Sequence, residues 1–452
     1  MNHRITVAAR SASSLLALVA IVAAACAPTP SSSLSPTTAA ASSSPAPTTG
    51  AVATNQPSLS DKDAWRADLA MLVPGMAAIH PDLTHGVSRA DLDSAVAALS
   101  STVDTATDDQ LMVGVLRIVA MVSAAGCDSH TGAFIWGTGT YPVESMPLRL
   151  WLFEDEVVVV DALPPYETLV GSRIDSIEGQ PIADVLAAID PIVPRDNAQT
   201  VRLLMPRFLL IPQVLRGLSL ANDGAIALGL TATDEATSTV DVEPIPMADY
   251  NAWAGPYGLH LPGNPNVPYL SRIDDALWWE RLADGTLFVQ NNRTDRLPAT
   301  VFTDLTAALH APDVARVVVD LRHNYGGELS AVDEIEAPFK DPAVNQPDRL
   351  FVLTGRNTFS GGSLLVARLQ RDTKAQIVGE PMGGCPTIWS DPTELALPFS
   401  GIVVNVADDV AVGVDPKDPR FTIEADVATV LTREDWAAGR DPALSLIVAS
   451  AP

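Results

Sequence analysis

Lysine, cysteine and positive charge are all scarce in this 452-residue chain. Only four lysines occur, Lys62, Lys340, Lys374 and Lys417, so few positions can supply a catalytic amine. Acidic residues outnumber basic residues by 54 to 28, which gives a net charge of -26. A surface of that sign repels nucleic acid and anionic membranes, and no basic stripe in the sequence interrupts it. We therefore exclude nucleic acid as a partner.

The N-terminal apolar run is too short to span a bilayer and predicts an export signal instead. Arg4 and Arg10 precede about eleven apolar residues that end at Cys26. Small residues directly before a cysteine resemble the lipobox of bacterial lipoproteins, so residues 1–26 are predicted to hold a signal peptide, with lipidation at Cys26. The alternative is an ordinary secretory signal. We expect an exported protein at the outer face of the bacterial cell membrane, attached only through Cys26, or a secreted one.

The rest of the chain is predicted to form several domains of an α/β (α+β multidomain) fold. Residues 27–58 are almost wholly Pro, Ser, Thr, Ala and Gly, which predicts a disordered linker because such a stretch buries little apolar surface. The chain beyond this linker is too long for one core. We expect a helical domain over 59–135, a β-rich, PDZ-like module over 136–280 and an α/β catalytic domain over 281–452.

Hydrophobic periodicity supports this division. Apolar residues recur at helical spacing from Asp61 to Ala125, and strand-like runs occur next at Leu148–Phe153 and Val157–Asp161. Beyond residue 280, strands alternate with helices, which is typical of a largely parallel sheet. The strands are predicted at Thr286–Gln290, Val314–Leu321, Leu350–Leu353 and Ala375–Val378, the helices start near Thr300, Glu328 and Ser360, a late hairpin covers Leu395–Ala407, and a closing helix covers 433–448.

Two turns near the C-terminus hold residues suited to nucleophilic catalysis. Ser360 lies between a predicted strand and a predicted helix, and Gly326-Gly327 directly follow another predicted strand. Amides at such a turn can point at a developing oxyanion, so a hydroxyl there suits acyl transfer. The structural alternative for Ser360 is a helix N-cap, a position that favours serine.

Three linked motifs resemble the C-terminal processing (tail-specific) serine peptidases. They are Val317-Val-Val-Asp-Leu-Arg-His-Asn-Tyr-Gly-Gly327, Thr358-Phe-Ser-Gly-Gly362 and Ala375-Gln-Ile-Val-Gly-Glu-Pro381. Gly126-Cys-Asp-Ser-His-Thr131 is similar to an element of the tricorn-like and retinoid-binding-protein-like branch. The closing Gly439-Arg-Asp-Pro-Ala-Leu444 also fits. The resemblance spans roughly residues 61–450 and implies a C-terminal domain of the ClpP/crotonase type.

The resemblance assigns roles to individual residues. It implies Ser360 as the nucleophile, and an oxyanion hole formed by the amide of Gly361 and one amide from Gly326-Gly327. The lysine base of the tail-specific branch falls at Cys385, so a serine–lysine pair is not expected, and Lys374 is interpreted as a surface charge. The pair Ser129-His130 matches the tricorn-like branch, which makes His130 the predicted base.

The sequence does not decide which acid would orient His130. The candidates are Asp128, Glu380, Glu424 and Asp426. His323, beside the glycine turn, is interpreted as a loop residue rather than an alternative base. Ser363 stands where relatives often carry a glutamate, which departs from the family pattern.

Cysteine usage predicts one cross-link. If Cys26 is lipidated, Cys127 and Cys385 remain in an oxidising compartment, each beside a proposed active-site segment. We predict a Cys127–Cys385 disulfide, with two buried thiols as the alternative. No ligand pair has zinc-like spacing, so neither a metal nor a cofactor is expected.

These observations together predict a serine peptidase acting on a peptide or protein substrate outside the membrane. A related interpretation keeps the same two catalytic residues but has them act on an ester or small amide. The non-enzymatic alternative is a ligand- or peptide-binding lipoprotein on the same fold, suggested by the missing lysine and glutamate. The sequence does not indicate the oligomeric state.

Overall fold

The computed structural model describes residues 61–137, 139, 141–255 and 259–449. Its α-helices are α1 (Asp61–Ile79), α2 (Arg89–Thr102), α3 (Asp108–Ala120), α4 (Ile182–Ile189), α5 (Ala198–Leu209), α6 (Pro212–Gly217), α7 (Met247–Ala254), α8 (Pro268–Ser271), α9 (Ala299–Leu309), α10 (Val332–Glu336), α11 (Gly361–Asp372), α12 (Arg433–Ala437) and α13 (Pro442–Ala449). Its strands are β1 (Glu144–Ser145), β2 (Leu148–Phe153), β3 (Glu156–Ala162), β4 (Arg173–Ile177), β5 (Gln180–Pro181), β6 (Ile226–Thr231), β7 (Thr237–Val242), β8 (Ile245–Pro246), β9 (Leu277–Arg281), β10 (Thr286–Asn291), β11 (Arg316–Asp320), β12 (Leu350–Thr354), β13 (Gln376–Gly379), β14 (Thr387–Ala396), β15 (Val403–Val412) and β16 (Val427–Ala428). This combination confirms the predicted α/β multidomain class.

The C-terminal sheet has six strands in the order β16-β13-β12-β11-β10-β9. All neighbours are parallel except β9, which pairs antiparallel with β10. The central strand β11 is buried along its whole length because both faces are covered, which explains its nearly continuous valines. Val317 and Val319 pack with the apolar residues of α9 and α11. Val318 points to the opposite face and packs with α13 and with β3 of the other large sheet.

The second large sheet is antiparallel, with the order β2-β3-β4-β6-β7. It lies in the segment predicted to be β-rich, but helices α5 and α6, which were not predicted, also occur there. Helix α5 begins after Asn197, whose side chain accepts hydrogen bonds from the amides of Gln199 and Thr200. An N-cap of this kind satisfies amides that lack a partner at the start of a helix. The residues just before α5 contact the loop that carries His130.

A long hairpin, β14–β15, connects the second half of the chain to the N-terminal helices. Leu395 packs so closely on α1 that a Cβ at Gly75 would lie 2.8 Å from it. The buried carboxylate of Asp68 accepts hydrogen bonds from the amides of Phe399 and Ser400 at the hairpin turn, at 3.2 and 2.7 Å. None of the described helices is long and apolar enough to cross a membrane.

Two predicted helices differ from the structure. The closing helix predicted over 433–448 is two helices, α12 and α13, because Gly439 adopts φ +65° and Pro442 starts a new helix. The helix predicted from Glu328 begins as a 3₁₀ turn, Leu329–Ala331, before the short α10. The predicted signal peptide, Cys26 and the predicted linker lie outside the described residues.

Candidate active site

Ser360 occupies a strained turn between β12 and α11. Its backbone has φ +51° and ψ -126°, a conformation that non-glycine residues rarely adopt. It stands at the N-cap position of α11, yet its hydroxyl makes no capping hydrogen bond. Ser360 Oγ lies instead 3.2 Å from His130 Nε2. The fold thus joins a hydroxyl and an imidazole that are 230 positions apart in sequence.

The glycine turn lies directly against this serine. A Cβ at Gly326, where φ is +107°, would come within 2.6 Å of Ser360 Cβ, so no side chain fits there. The Gly326 amide donates to Asn324 Oδ1 at 3.0 Å and is therefore already engaged. This leaves the amide of Gly327 as the member of that pair able to act beside the Gly361 amide. The N-terminal amides of a helix such as α11 lack intrahelical partners, which suits Gly361 to an anion.

Asn324 is a hub that sequence reasoning missed. Its buried side chain accepts from the Gly326 amide and from the Thr294 hydroxyl, and donates to Asn291 Oδ1. Its carbonyl accepts from the Phe359 amide at 2.9 Å. A single residue therefore fixes the glycine turn against the turn that carries Ser360. The only sequence signal was an asparagine directly before Tyr-Gly-Gly.

His130 reaches the serine because its loop is bound to the β14–β15 hairpin. Gly132 and Asn405 exchange two backbone hydrogen bonds of 3.0 and 2.9 Å. The buried Thr131 hydroxyl accepts from the Ala407 amide at 3.1 Å, and the Trp389 amide donates to the Cys127 carbonyl at 3.0 Å. The hairpin belongs to the second half of the sequence, so it carries the histidine loop across to the sheet with Ser360.

A disulfide joins the same loop to the segment after β13. Cys127 and Cys385 are bonded, with Cα atoms 5.5 Å apart and 258 positions between them in sequence. Cys127 has φ +61° and follows Gly126 at φ +89°, so the bond lies at a sharply turned backbone. The cross-link stands three residues before His130 and at the position where the tail-specific branch has its lysine.

Burial controls the charge of His130. Removal from solvent lowers its pKa to about 4, an effect that Asp128 and the Trp389 backbone oppose without overcoming. The Phe359 ring stacks on the imidazole, with centroids 4.7 Å apart. At neutral pH the imidazole is therefore uncharged, and its Nε2 can accept a proton. Its buried Nδ1 makes no hydrogen bond of ordinary geometry among the described residues, although the Trp389 backbone interacts with the ring.

The structure brings none of the four candidate acids to His130 Nδ1 by a hydrogen bond within the described part of the chain. Glu380 pairs with Arg356 through both oxygens, at 3.2 and 3.3 Å. Asp426 accepts from the Ile377 amide at 2.8 Å and so supports the sheet. Glu424 is exposed.

Asp128 faces two other histidines. One carboxylate oxygen lies 3.2 Å from His80 Nε2 and 3.6 Å from His85 Nε2. These three residues offer ligand atoms within 4.8 Å of one another, a grouping that resembles a metal site. However, His80 Nδ1 accepts from the Asp82 amide at 3.0 Å, so the proton of the neutral ring is on Nε2. His80 therefore donates to Asp128, and the geometry favours a hydrogen-bond network over a metal site.

A carboxylate that sequence reasoning did not consider, Asp196, lies beneath the histidine loop. It is fully buried, and its Oδ1 accepts from the Ser129 amide at 2.7 Å. Ser129 itself is buried, and its hydroxyl makes no hydrogen bond of ordinary geometry among the described residues. Only an aspartate directly before an N-capping asparagine could have drawn attention to this position.

Residues 289–406 match the family model described as peptidase family S41. Over this segment the chain resembles the C-terminal processing peptidases of family S41. Two solved structures of CPAF are similar in fold. A CPAF mutant with serine replaced by alanine has a TM-score of 0.60 and 12% identity, covering 87% of this chain and 99% of that one. Mature CPAF complexed with lactacystin has a TM-score of 0.57 and 12% identity, covering 85% and 97%. No curated protein matches the chain by sequence.

The closing motif Gly439–Leu444 holds an aspartate that binds the end of strand β11. Asp441 receives two hydrogen bonds from the Arg322 guanidinium, at 2.9 and 2.7 Å, and Asp320 shares the same guanidinium. Bidentate pairs of this kind are strong and geometrically specific. The C-terminal segment therefore fixes the strand end that leads into the glycine turn.

The residues at which the sequence departs from the family pattern also have defined places in the structure. Cys385 takes the lysine position and is fully buried, while Lys374 is exposed. Ser363 is buried and donates to the Thr358 carbonyl at 3.1 Å. A Cβ at Gly384 would lie 2.2 Å from Ser363 Oγ, so the chain after β13 fills the space that a glutamate side chain needs. His323 is buried beside Tyr269, with ring centroids 5.4 Å apart.

Proposed function

We propose that this protein is a serine peptidase of the S41 type in which Ser360 forms an acyl-enzyme and His130 is the base. The observation that carries the proposal is the 3.2 Å separation of Ser360 Oγ and His130 Nε2. This is hydrogen-bond distance, the first requirement for a nucleophile and its base. The low pKa of His130 supports the role because the ring is neutral at physiological pH.

The reaction follows from these groups. Ser360 Oγ attacks the carbonyl carbon of the peptide bond and gives its proton to His130 Nε2. The oxyanion formed is stabilised by the amides of Gly361 and Gly327. As the carbon–nitrogen bond breaks, the imidazolium returns the proton to the leaving amine. A water molecule, deprotonated by the same imidazole, then attacks the carbonyl carbon of the Ser360 ester. As the bond between that carbon and Ser360 Oγ breaks, the imidazolium returns the proton to Oγ and the acid is released.

A fluorophosphonate probe tests the chemistry because it modifies only an activated serine. Wild type is expected to be labelled, and both Ser360→Ala and His130→Ala are expected to lose labelling. Ser330→Ala and His310→Ala are matched controls, because both side chains are exposed and lie far in sequence from Ser360 and His130. Hydrolysis of labelled casein should show the same pattern.

Each contrary result has a defined meaning. No Ser360-dependent labelling of the wild type would favour the ligand- or peptide-binding role on this fold. A His130→Ala variant labelled as fast as the wild type would refute the base while leaving the nucleophile. Hydrolysis of small esters without casein cleavage would favour the esterase interpretation.

We also propose that the peptidase acts outside the cytoplasmic membrane, anchored through a lipid on Cys26. The support is the sequence itself, since the basic start, short apolar run and small residues before Cys26 resemble a lipoprotein signal. Metabolic labelling with a fatty acid should mark the wild type and not Cys26→Ser. A mature secreted protein without lipid would contradict the anchor and favour an ordinary secretory signal.

A further inference from the structure

The segment that precedes α5 binds the two loops that meet at the candidate active site. The Asp196 carboxylate accepts from the Ser129 amide at 2.7 Å and from the Cys385 amide at 3.4 Å. The Asp196 carbonyl accepts from the Cys127 amide at 3.0 Å. One residue therefore holds the loop of the base, the disulfide and the segment after β13.

The residues on either side of Asp196, Arg195 and Asn197, also form hydrogen bonds with the segments around the candidate site. The side-chain amide of Asn197 donates to the carbonyls of Met382 and Phe421, at 3.2 and 2.7 Å. The backbone amide of Arg195 donates to the Ser123 hydroxyl at 3.1 Å, just before the histidine loop. Of these three neighbouring residues, only Asp196 is hydrogen-bonded to the residue next to His130.

We infer that Asp196 is a positioning residue for His130, acting through the Ser129 amide in place of an acid bonded directly to the imidazole. The inference rests on the proposed Ser360–His130 chemistry. It accounts for two observations, since none of the four sequence candidates is hydrogen-bonded to the ring and a buried carboxylate instead holds the adjacent peptide. A nucleophile and base work only within a narrow geometry, so a loop displaced by about 1 Å loses most of the rate.

The charge of Asp196 changes in an accessible pH range. Burial raises its pKa to about 7, and nearby Asp128 acts in the same direction, while the amide and hydroxyl of Ser129 and the amide of Cys385 oppose it. The other titratable groups facing this region are His80 and His85, which contact Asp128, and the two cysteines do not titrate because they are bonded. An ionised carboxylate accepts a stronger hydrogen bond than a neutral acid. The hold on Ser129 therefore tightens as the pH rises through about 7.

The test is the rate of fluorophosphonate labelling of the full-length protein against pH. Asp196→Ala removes the acceptor and is expected to slow labelling by about 10²-fold without changing probe saturation. Asp196→Asn keeps a neutral acceptor for the Ser129 amide, so it should label nearly as fast as the wild type below about pH 7 and fall behind above it. Asp190→Asn, in the same segment but bonded to Arg195, should behave as the wild type.

A second variant separates positioning from stability alone. Asn197→Ala removes two bonds to the same region but none to Ser129, so it should lower the unfolding midpoint and leave the pH dependence of labelling unchanged. The inference is overturned if Asp196→Ala labels as fast as the wild type. It is also overturned if Asp196→Asn and the wild type differ by the same factor at every pH. A wild type that does not label at all would instead refute the proposed function.

Discussion

Two buried groups at the site should make opposite contributions to the pH dependence of stability. Burial raises the pKa of Asp196 from 3.8 to about 7, so the folded state holds a proton that the unfolded state has lost. Its contribution to the unfolding free energy therefore falls as pH rises from about 4 to 7. Burial lowers the pKa of His130 from 6.5 to about 4, so here the unfolded state holds the extra proton. That contribution rises from about pH 4 to 6.5.

Single substitutions separate the two contributions. One proton corresponds to a slope of about 1.4 kcal/mol per pH unit. The stability of Asp196→Asn relative to the wild type should therefore increase by about 1.4 kcal/mol per unit between about pH 4 and 7. The relative stability of His130→Gln should decrease at a similar slope up to about pH 6.5. Each variant is compared with the wild type because the pH dependence contributed by the other acidic groups is the same in both proteins and cancels in the difference.

Urea-induced unfolding followed by tryptophan fluorescence measures these slopes, since the chain has eight tryptophans. The full-length protein is unfolded at several pH values from about 4 to 8. Asp190→Asn serves as the control, because its carboxylate lies in the same segment but is bonded to Arg195 instead of the histidine loop. If the stability differences of Asp196→Asn and His130→Gln did not change with pH, or changed with slopes of the same sign, burial would not be what sets the two pKa values.

Three further predictions concern the site. Gly326→Ala places a Cβ 2.6 Å from Ser360 Cβ and should slow fluorophosphonate labelling by about 10²-fold. The control Gly224→Ala also has a positive φ but no atom within 4 Å of its Cβ, so it should lower only the unfolding midpoint. Equal labelling of the two variants would show that the space beside Ser360 does not matter. Replacing both disulfide cysteines by alanine should lower the unfolding free energy, measured in urea, by about 5 kcal/mol, because the disulfide closes a loop of 258 positions. A loss below about 1 kcal/mol would contradict this chain-entropy argument. In Asp196→Asn, which lacks the titration of Asp196 near pH 7, the acid limb of the labelling rate should fall near pH 4, and a limb near 6.5 would show a solvated His130.

Local patterns predicted much of the fold because they report burial directly. The valines before Asp320 predicted a buried strand, and both faces of that strand are indeed covered. The run before Gly355 predicted β12 in the same way. Helix ends were less predictable, because Gly439 and Pro442 divide a segment whose apolar periodicity continues across them.

Side-chain partners depend on tertiary contacts that no local pattern records. Ser360 became a candidate through its turn between a predicted strand and a predicted helix, whereas His130 became one only through a resemblance to known motifs. Glu380 looked equally suitable as the orienting acid, but in the fold it pairs with Arg356. Asp196 belongs to no motif, and Asn324 lies within the Val317–Gly327 motif without a role assigned to it, because both residues bind amides more than 30 positions away in sequence.

The hairpin that delivers the imidazole has a consequence for the timing of activity. His130 can approach Ser360 only after the chain up to the end of β15 has been made, because the β14–β15 hairpin binds the loop that carries His130. A partly synthesised chain carries His130 long before Ser360, so on the proposed function it cannot yet cleave a substrate. The proposed hydrolytic activity would therefore begin only after the β14–β15 hairpin has formed and bound the histidine loop.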